Sequence, residues 1–187
     1  MKTTFEELKA ELLLKAKNNN ACESGYTQAE NCKTKKELVQ VIANYFNWVW
    51  ETKTITIEDL NKFNSDLLQS IGIFINYEGT IKSDSNKLII VGSSSSPTIE
   101  TYGSSSPTIE TYDSSSPTIE TYGSSSPRIE TYASSSPTII THNSSSPRII
   151  THNSSSPLIE TYDSSSPLIE TYSSSRPRIE THNSSSA

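Results

Sequence analysis

The chain has 187 residues, of which 32% are hydrophobic and 19% charged, and its formal net charge is −6. Both fractions lie below those of ordinary globular domains, which excludes a large apolar core. No run approaches the ~18 apolar residues of a membrane helix, and Met1-Lys2-Thr3-Thr4-Phe5-Glu6-Glu7 lacks the charged-then-apolar layout of a secretory signal, so a cytoplasmic location without a membrane partner is expected.

The composition splits the chain in two. All 11 Lys, both Trp and all four Phe precede residue 88, while all nine Pro, four Arg and three His follow residue 96. Residues 1–92 carry 11 Lys against 12 Asp and Glu, and residues 93–187 carry four Arg against nine. Neither part is a basic surface, so direct nucleic-acid binding is not expected. Cys22 and Cys32 form no CxxC motif and have no His pair nearby; they read as free or buried thiols.

Three helices are expected in the first part. Thr4-Phe5-Glu6-Glu7 is a capping box that opens a helix with Phe5, Leu8, Leu12 and Ala16 on one face, ended by Asn18-Asn19-Asn20. Thr34-Lys35-Lys36-Glu37 is a second box, leading into Leu38, Val41, Ile42, Tyr45 and Trp48-Val49-Trp50. Thr56-Ile57-Glu58-Asp59 opens a third, with Ile57, Leu60, Leu67 and Ile71 at helical spacing. Trp48 and Trp50 supply the largest apolar surface of this bundle, as its core or junction, or alternatively an aromatic docking patch.

From Pro97 to Pro177 the sequence repeats every ten residues, nine times. Two residues after each Pro stands Ile, four after it Thr, and five after it Tyr or, at 142, 152 and 182, His. Pro-x-Ile-x-Thr-Tyr is strand chemistry with period two, and the Gly, Asp, Asn and Ser that follow are turn chemistry. Alternation puts Pro, Ile and Thr on one face, expected to be the inside because stacking tolerates one shape there. The variable residue, Glu and Tyr/His then face outward. Lys87-Leu88-Ile89-Ile90-Val91-Gly92 keeps the same phase as a degenerate unit, and Gly79-Thr80-Ile81 reads as an earlier one, so the repeat region is expected to begin near residue 73–80.

Disorder is the rival reading, because about one third of residues 93–187 are Ser. The fixed phase of Ile and Thr through nine units favours order. Ile burial alone cannot offset the backbone entropy, so inter-coil hydrogen bonds and stacked Thr, Ser and Tyr ladders must contribute. Substitutions arrive in neighbouring pairs: Ile140 with Ile150, His142 with His152, Leu158 with Leu168. That favours about two repeats per coil, with two Ile-bearing strands face to face. The expected fold is α+β: a small N-terminal helical bundle over 1–75 capping a parallel β-solenoid of ten-residue repeats over 76–187. Ser184-Ser185-Ser186-Ala187 offers no cap; that end is expected to fray, and weak self-association is expected through it or through the side of the solenoid.

Ala21-Cys22-Glu23-Ser24-Gly25, the helix starting at Thr34 and Trp48-Val49-Trp50, followed by Pro-Thr-Ile-Glu-Thr-Tyr units, resemble uncharacterised proteins of gut-bacterial phages and prophages. Those carry an Ala-Cys-x-x-Gly helical module before short Thr-Val-x-x-Tyr-Asp repeats. The resemblance covers about 50 residues of the first part and the style of the repeat. It implies a phage or mobile-element origin and adds virion association as a location; it implies no activity.

No catalytic constellation stands out, since the three His share a repeat position with Tyr, and neither metal ligands nor a phosphate-binding glycine loop is evident, so no enzyme and no cofactor is expected. An outward Thr-Glu-Tyr set does not supply the Thr-x-Thr plane of ice binders. Binding is the better expectation, because long flat ladders suit extended partners. The candidate residues are Tyr102, Tyr112, Tyr122 and Tyr132 for a glycan, the less charged Ile140, His142, Ile150 and His152 for a protein, and Trp48 and Trp50 in the helical head. The alternative is a phage inhibitor that sterically blocks a host nuclease or nucleic-acid-binding complex.

Overall fold

In a computed structural model of the chain, the structure describes residues 4–183, 185 and 186. Met1, Lys2 and Thr3 of the N-terminal segment, and Ser184 and Ala187 of the segment expected to fray or self-associate, lie outside the described residues. The chain divides into two compact units, Met1–Ile71 and Gly72–Ala187.

The first unit holds six helices among the described residues: α1 (Phe5–Asn18), α2 (Glu23–Asn31), α3 (Lys35–Asn44), α4 (Phe46–Glu51), α5 (Ile57–Leu60) and α6 (Ser65–Ser70). The Thr4/Glu7 capping box forms and α1 buries Leu8 and Leu12. The box at Thr34 forms only by half: Thr34 accepts the Glu37 N–H at 3.2 Å, but the Glu37 carboxylate takes the Lys33 N–H at 2.6 Å. The second expected helix breaks at Tyr45; the third stops at Leu60, and α6 starts anew after Asn64, whose side chain caps it by accepting the Asp66 N–H at 2.7 Å. α2 has no buried residue and hence no apolar periodicity to announce it. Its cap is the Cys22 thiol, which accepts the Gly25 N–H at 3.4 Å. A Cβ at Gly25 would stand 3.3 Å from that sulfur and 3.4 Å from the Tyr45 ring, so the Ala-Cys-x-x-Gly motif has a packing reason.

The second unit is a parallel β-solenoid of about five turns. Its strands are β1 (Ile73–Ile75), β2 (Thr80–Ser83), β3 (Leu88–Gly92), β4 (Thr98–Thr101), β5 (Thr108–Thr111), β6 (Thr118–Thr121), β7 (Arg128–Thr131), β8 (Thr138–Thr141), β9 (Arg148–Thr151), β10 (Leu158–Thr161), β11 (Leu168–Thr171) and β12 (Arg178–Thr181). Odd-numbered strands form one six-stranded sheet and even-numbered strands the other. Residues 20 apart pair in register, as in Ile99↔Ile119 and Ile109↔Ile129, so one coil is two repeats. Six strands at ~4.8 Å spacing make each sheet about 24 Å long along the coil axis.

Pro, Ile and Thr do face inward. Ile99, Ile109, Ile119, Ile129, Ile139, Ile149 and Ile159 are fully buried and form one column with Phe74, Ile89 and Val91. The serine in the middle of each triplet is also inside, as at Ser115, Ser125 and Ser135, where the sequence had suggested only a polar turn. The inward Thr explains it: Thr111 Oγ1 donates to Ser135 Oγ at 3.1 Å and Thr121 Oγ1 to Ser145 Oγ at 2.9 Å, each linking one coil to the next. The backbone ladder runs on through the corners, as in Ser116 N–H to the Ser95 carbonyl at 3.0 Å and Thr118 N–H to the Pro97 carbonyl at 3.0 Å. Pro opens each strand, where its missing N–H interrupts least. The corner residue after each Tyr or His has positive φ, from Gly103 at 66° to Asn183 at 58°, which is why Gly, Asn and Asp prevail there.

Candidate interaction surface

Because consecutive repeats lie on opposite sheets, the outward aromatic residues form two columns rather than one strip. The even column is Tyr102, Tyr122, His142, Tyr162 and His182, with ring centroids 5.4, 4.8, 5.4 and 4.4 Å apart and planes within 14° of parallel. The odd column is Tyr112, Tyr132, His152 and Tyr172, at 4.9, 4.7 and 5.2 Å. The candidates Tyr102 and Tyr122 therefore stand apart from Tyr112 and Tyr132. Likewise Ile140 and His142 belong to the even sheet and Ile150 and His152 to the odd one, so the less charged patch is two patches.

Each Tyr is tied to the Glu two residues before it. The phenol donates to the carboxylate at 2.5–2.9 Å for Tyr102–Glu100, Tyr112–Glu110, Tyr132–Glu130, Tyr162–Glu160 and Tyr172–Glu170, and the Tyr122–Glu120 pair is joined the same way. The carboxylate beside it pushes the Tyr122 phenol up to about 12. At 142 and 152, where His replaces Tyr, Ile replaces Glu at 140 and 150. His182 keeps Glu180, but at these two places the pair changes together. This interrupts a column of like charges that would otherwise repeat at every coil.

The two faces differ in charge, and in exposure at one end of the odd column, whose Tyr112 is buried while its Tyr172 is 49% exposed. On the odd face Tyr112 is 1% exposed and Ile150 is 3% exposed. Burial raises the Glu110 carboxyl above its ordinary range. Glu130 is also penalised by burial, but the Tyr132 and Arg128 hydrogen bonds outweigh that and hold it low. Arg128 pairs with Glu130 at 2.6 Å and Arg148 with Glu170 at 2.7 Å, which neutralises the middle of that face. On the even face the cations sit at the two ends, Lys82 on Glu100 at 3.2 Å and Arg178 on Glu180 at 2.7 Å. Tyr102 is 38% exposed there, and Tyr122, His142 and Tyr162 are half-buried. Sequence reasoning missed the Glu partners and the Arg pairs, although the joint exchange at 140/142 and 150/152 was the visible signal.

In the first unit, Trp50 stacks on Phe46 at 5.2 Å and 17°. Trp48 lines a small apolar cleft of about 60 Å³ with Leu12, Tyr26, Leu38, Tyr45 and Ile55. Cys22 is exposed and Cys32 buried, both as free thiols, and burial raises the Cys32 thiol. His142 and His182 are separated by Tyr162, and His152 lies on the other sheet. Among the described residues no helix is long and apolar enough to cross a membrane. No family model, curated protein or solved structure matches the chain.

Proposed function

We propose that this chain is a non-catalytic interaction protein whose helical unit and ladder-bearing solenoid bind a protein or glycan partner. The observation that carries the reading is the even column: five aromatic residues in continuous stack, partly open to solvent, on a face held rigid by in-register backbone bonds. A rigid row costs little ordering entropy when a partner settles on it. The resemblance of the helical module supports a phage or mobile-element origin, with the protein acting in the host cytoplasm or on the virion.

A second reading, a phage inhibitor that sterically blocks a host nuclease, is favoured by the apolar cleft beside Tyr26, Tyr45 and Trp48, which gives the helical unit a recess for a partner's side chain. Electrostatic imitation of nucleic acid is not part of it. Duplex DNA carries one charge per ~1.7 Å, far denser than the four Arg against nine acids of residues 93–187. The test is a glycan array run beside affinity capture from host lysate, with wild type and Tyr122→Ala/Tyr162→Ala. Retention of one polysaccharide or one stoichiometric protein that the variant loses supports the ladder. Equal retention by the variant would refute it, and loss through Trp48→Ala instead would select the cleft.

A further inference from the structure

The rings of the even column cover one another's faces, so what they turn outward is a row of edges. A flat ring laid across such a row gains dispersion contact with each edge, whatever its own charge. A flat aromatic ligand laid along the coil axis would make one edge-to-face contact per strand, and three strands give it ~10 Å of track. Beside the rings runs the Glu120, Ile140, Glu160 column, which fixes the ligand's charge. Glu120 and Glu160 have no ion-pair partner among the described residues, since the cations of this face are taken up at Glu100 and Glu180. Ile140 and Leu158 put half-buried apolar surface between and beside them. A second copy of the chain fits less well, because a face of four-residue strands about 24 Å long offers far less than the ~800 Å² per partner of a stable interface.

We infer that the even face, centred on Tyr122, Ile140, His142 and Tyr162 between Glu120 and Glu160, binds elongated planar aromatic cations lying along the solenoid axis. The inference rests on the same open ladder as the interaction role but not on the identity of any macromolecular partner. The odd face lacks the site, because Arg128 and Arg148 occupy the Glu130 and Glu170 carboxylates.

Thioflavin T, a flat cation, is the probe, titrated into the full chain and followed by its fluorescence. Saturable binding of one dye per chain is expected, weakened about tenfold by Glu120→Gln/Glu160→Gln, which keeps the acceptor for each phenol but removes two half-buried charges. The odd-face pair Glu110→Gln/Glu170→Gln should leave affinity within twofold, and a neutral benzothiazole analogue should bind at least fivefold more weakly than the cation. Circular dichroism checks that both variants keep the solenoid. Equal loss in both variants, equal affinity of neutral and cationic dyes, or absence of binding overturns the inference. Absence of dye binding with ladder-dependent capture of a partner retained would overturn this site and leave the interaction role standing.

Discussion

Ser115 shows how much one inward position matters. Every later inward serine receives a hydrogen bond from the Thr 24 residues before it, as Ser125 does from Thr101 at 3.2 Å. For Ser115 that position is Val91, and the buried Ser115 hydroxyl has no partner. Ser115→Ala should therefore cost less than about 0.5 kcal/mol, whereas Ser135→Ala, which strands the buried Thr111 hydroxyl, should cost about 1–2 kcal/mol. Val91→Thr should recover up to about 1 kcal/mol by supplying the missing donor. Urea titrations of the three variants measure the order, and equal costs at 115 and 135 would refute the Thr–Ser linkage. The corner positions behave similarly. Ala133 holds φ at 56° where Gly123 holds 70° at the equivalent place one repeat earlier. A left-handed conformation costs a residue with a Cβ ~1–2 kcal/mol, partly offset by the greater entropy that Gly loses on folding. Ala133→Gly should accordingly stabilise the solenoid by about 0.5–1 kcal/mol, read as a rise in its urea midpoint.

At the scale of elements, the helices of the first unit are joined by one ionic cluster. The Asp59 side chain is 2% exposed and accepts from Lys15 Nζ at 2.7 Å and Lys62 Nζ at 3.0 Å, tying α1 to α5 and its following residues. Burial works to raise the Asp59 carboxyl, but the hydrogen bonds from Lys15, the Thr56 backbone and Lys62 prevail and hold it at about 2. A carboxyl with a depressed folded-state value stabilises above its unfolded value and loses that contribution as pH falls. The helical unit should thus lose roughly 2 kcal/mol between pH 5 and pH 2, with helix unfolding monitored at 222 nm. Asp59→Asn should flatten this dependence while lowering stability at neutral pH, since it leaves two lysines without their buried partner. A pH profile unchanged by Asp59→Asn would show that other carboxylates govern acid sensitivity. Among the strands, β11 and β12 differ from their equivalents: Ile179 is 45% exposed, against 0% for Ile159. Amide exchange should be slowest through β4–β10 and faster in β12, with free-peptide rates throughout excluding the stacked rod.

For the molecule as a whole, identical inner faces and alternating sheets separate stability from surface design. Repeat arrays add stability by nearest-neighbour terms. Removing 20 residues, 113–132, takes out one coil and keeps every later repeat on its own sheet. Removing ten, 123–132, transfers every later repeat to the opposite sheet, where Ile, Thr and Ser still fit the lumen. Both deletions should retain the β-type circular dichroism signal. The ten-residue deletion should in addition weaken thioflavin T binding, because Ile150 and Glu170, with Arg148, would then continue the column from Glu120. Unchanged dye affinity after that deletion would mean that the ligand site lies elsewhere.

The solenoid was legible in the sequence because Ile99 and its eight successors recur at a spacing that only stacking explains, and the alternating Pro, Ile and Thr can share only the inner face. The capping boxes at Thr4 and Thr56 were legible for the same reason, being local chemistry that reads within four residues. What the tertiary structure alone decided depends on contacts distant along the chain. The 20-residue pairing sends neighbouring Tyr residues to opposite faces, the Thr-to-Ser bonds draw serine indoors, and Arg148 reaches Glu170 across a coil. Tyr45 ends one helix and Asn64 starts another inside stretches whose periodicity runs on unbroken. A one-dimensional pattern specifies which residues share a phase; only the closing of the coil determines which phases meet.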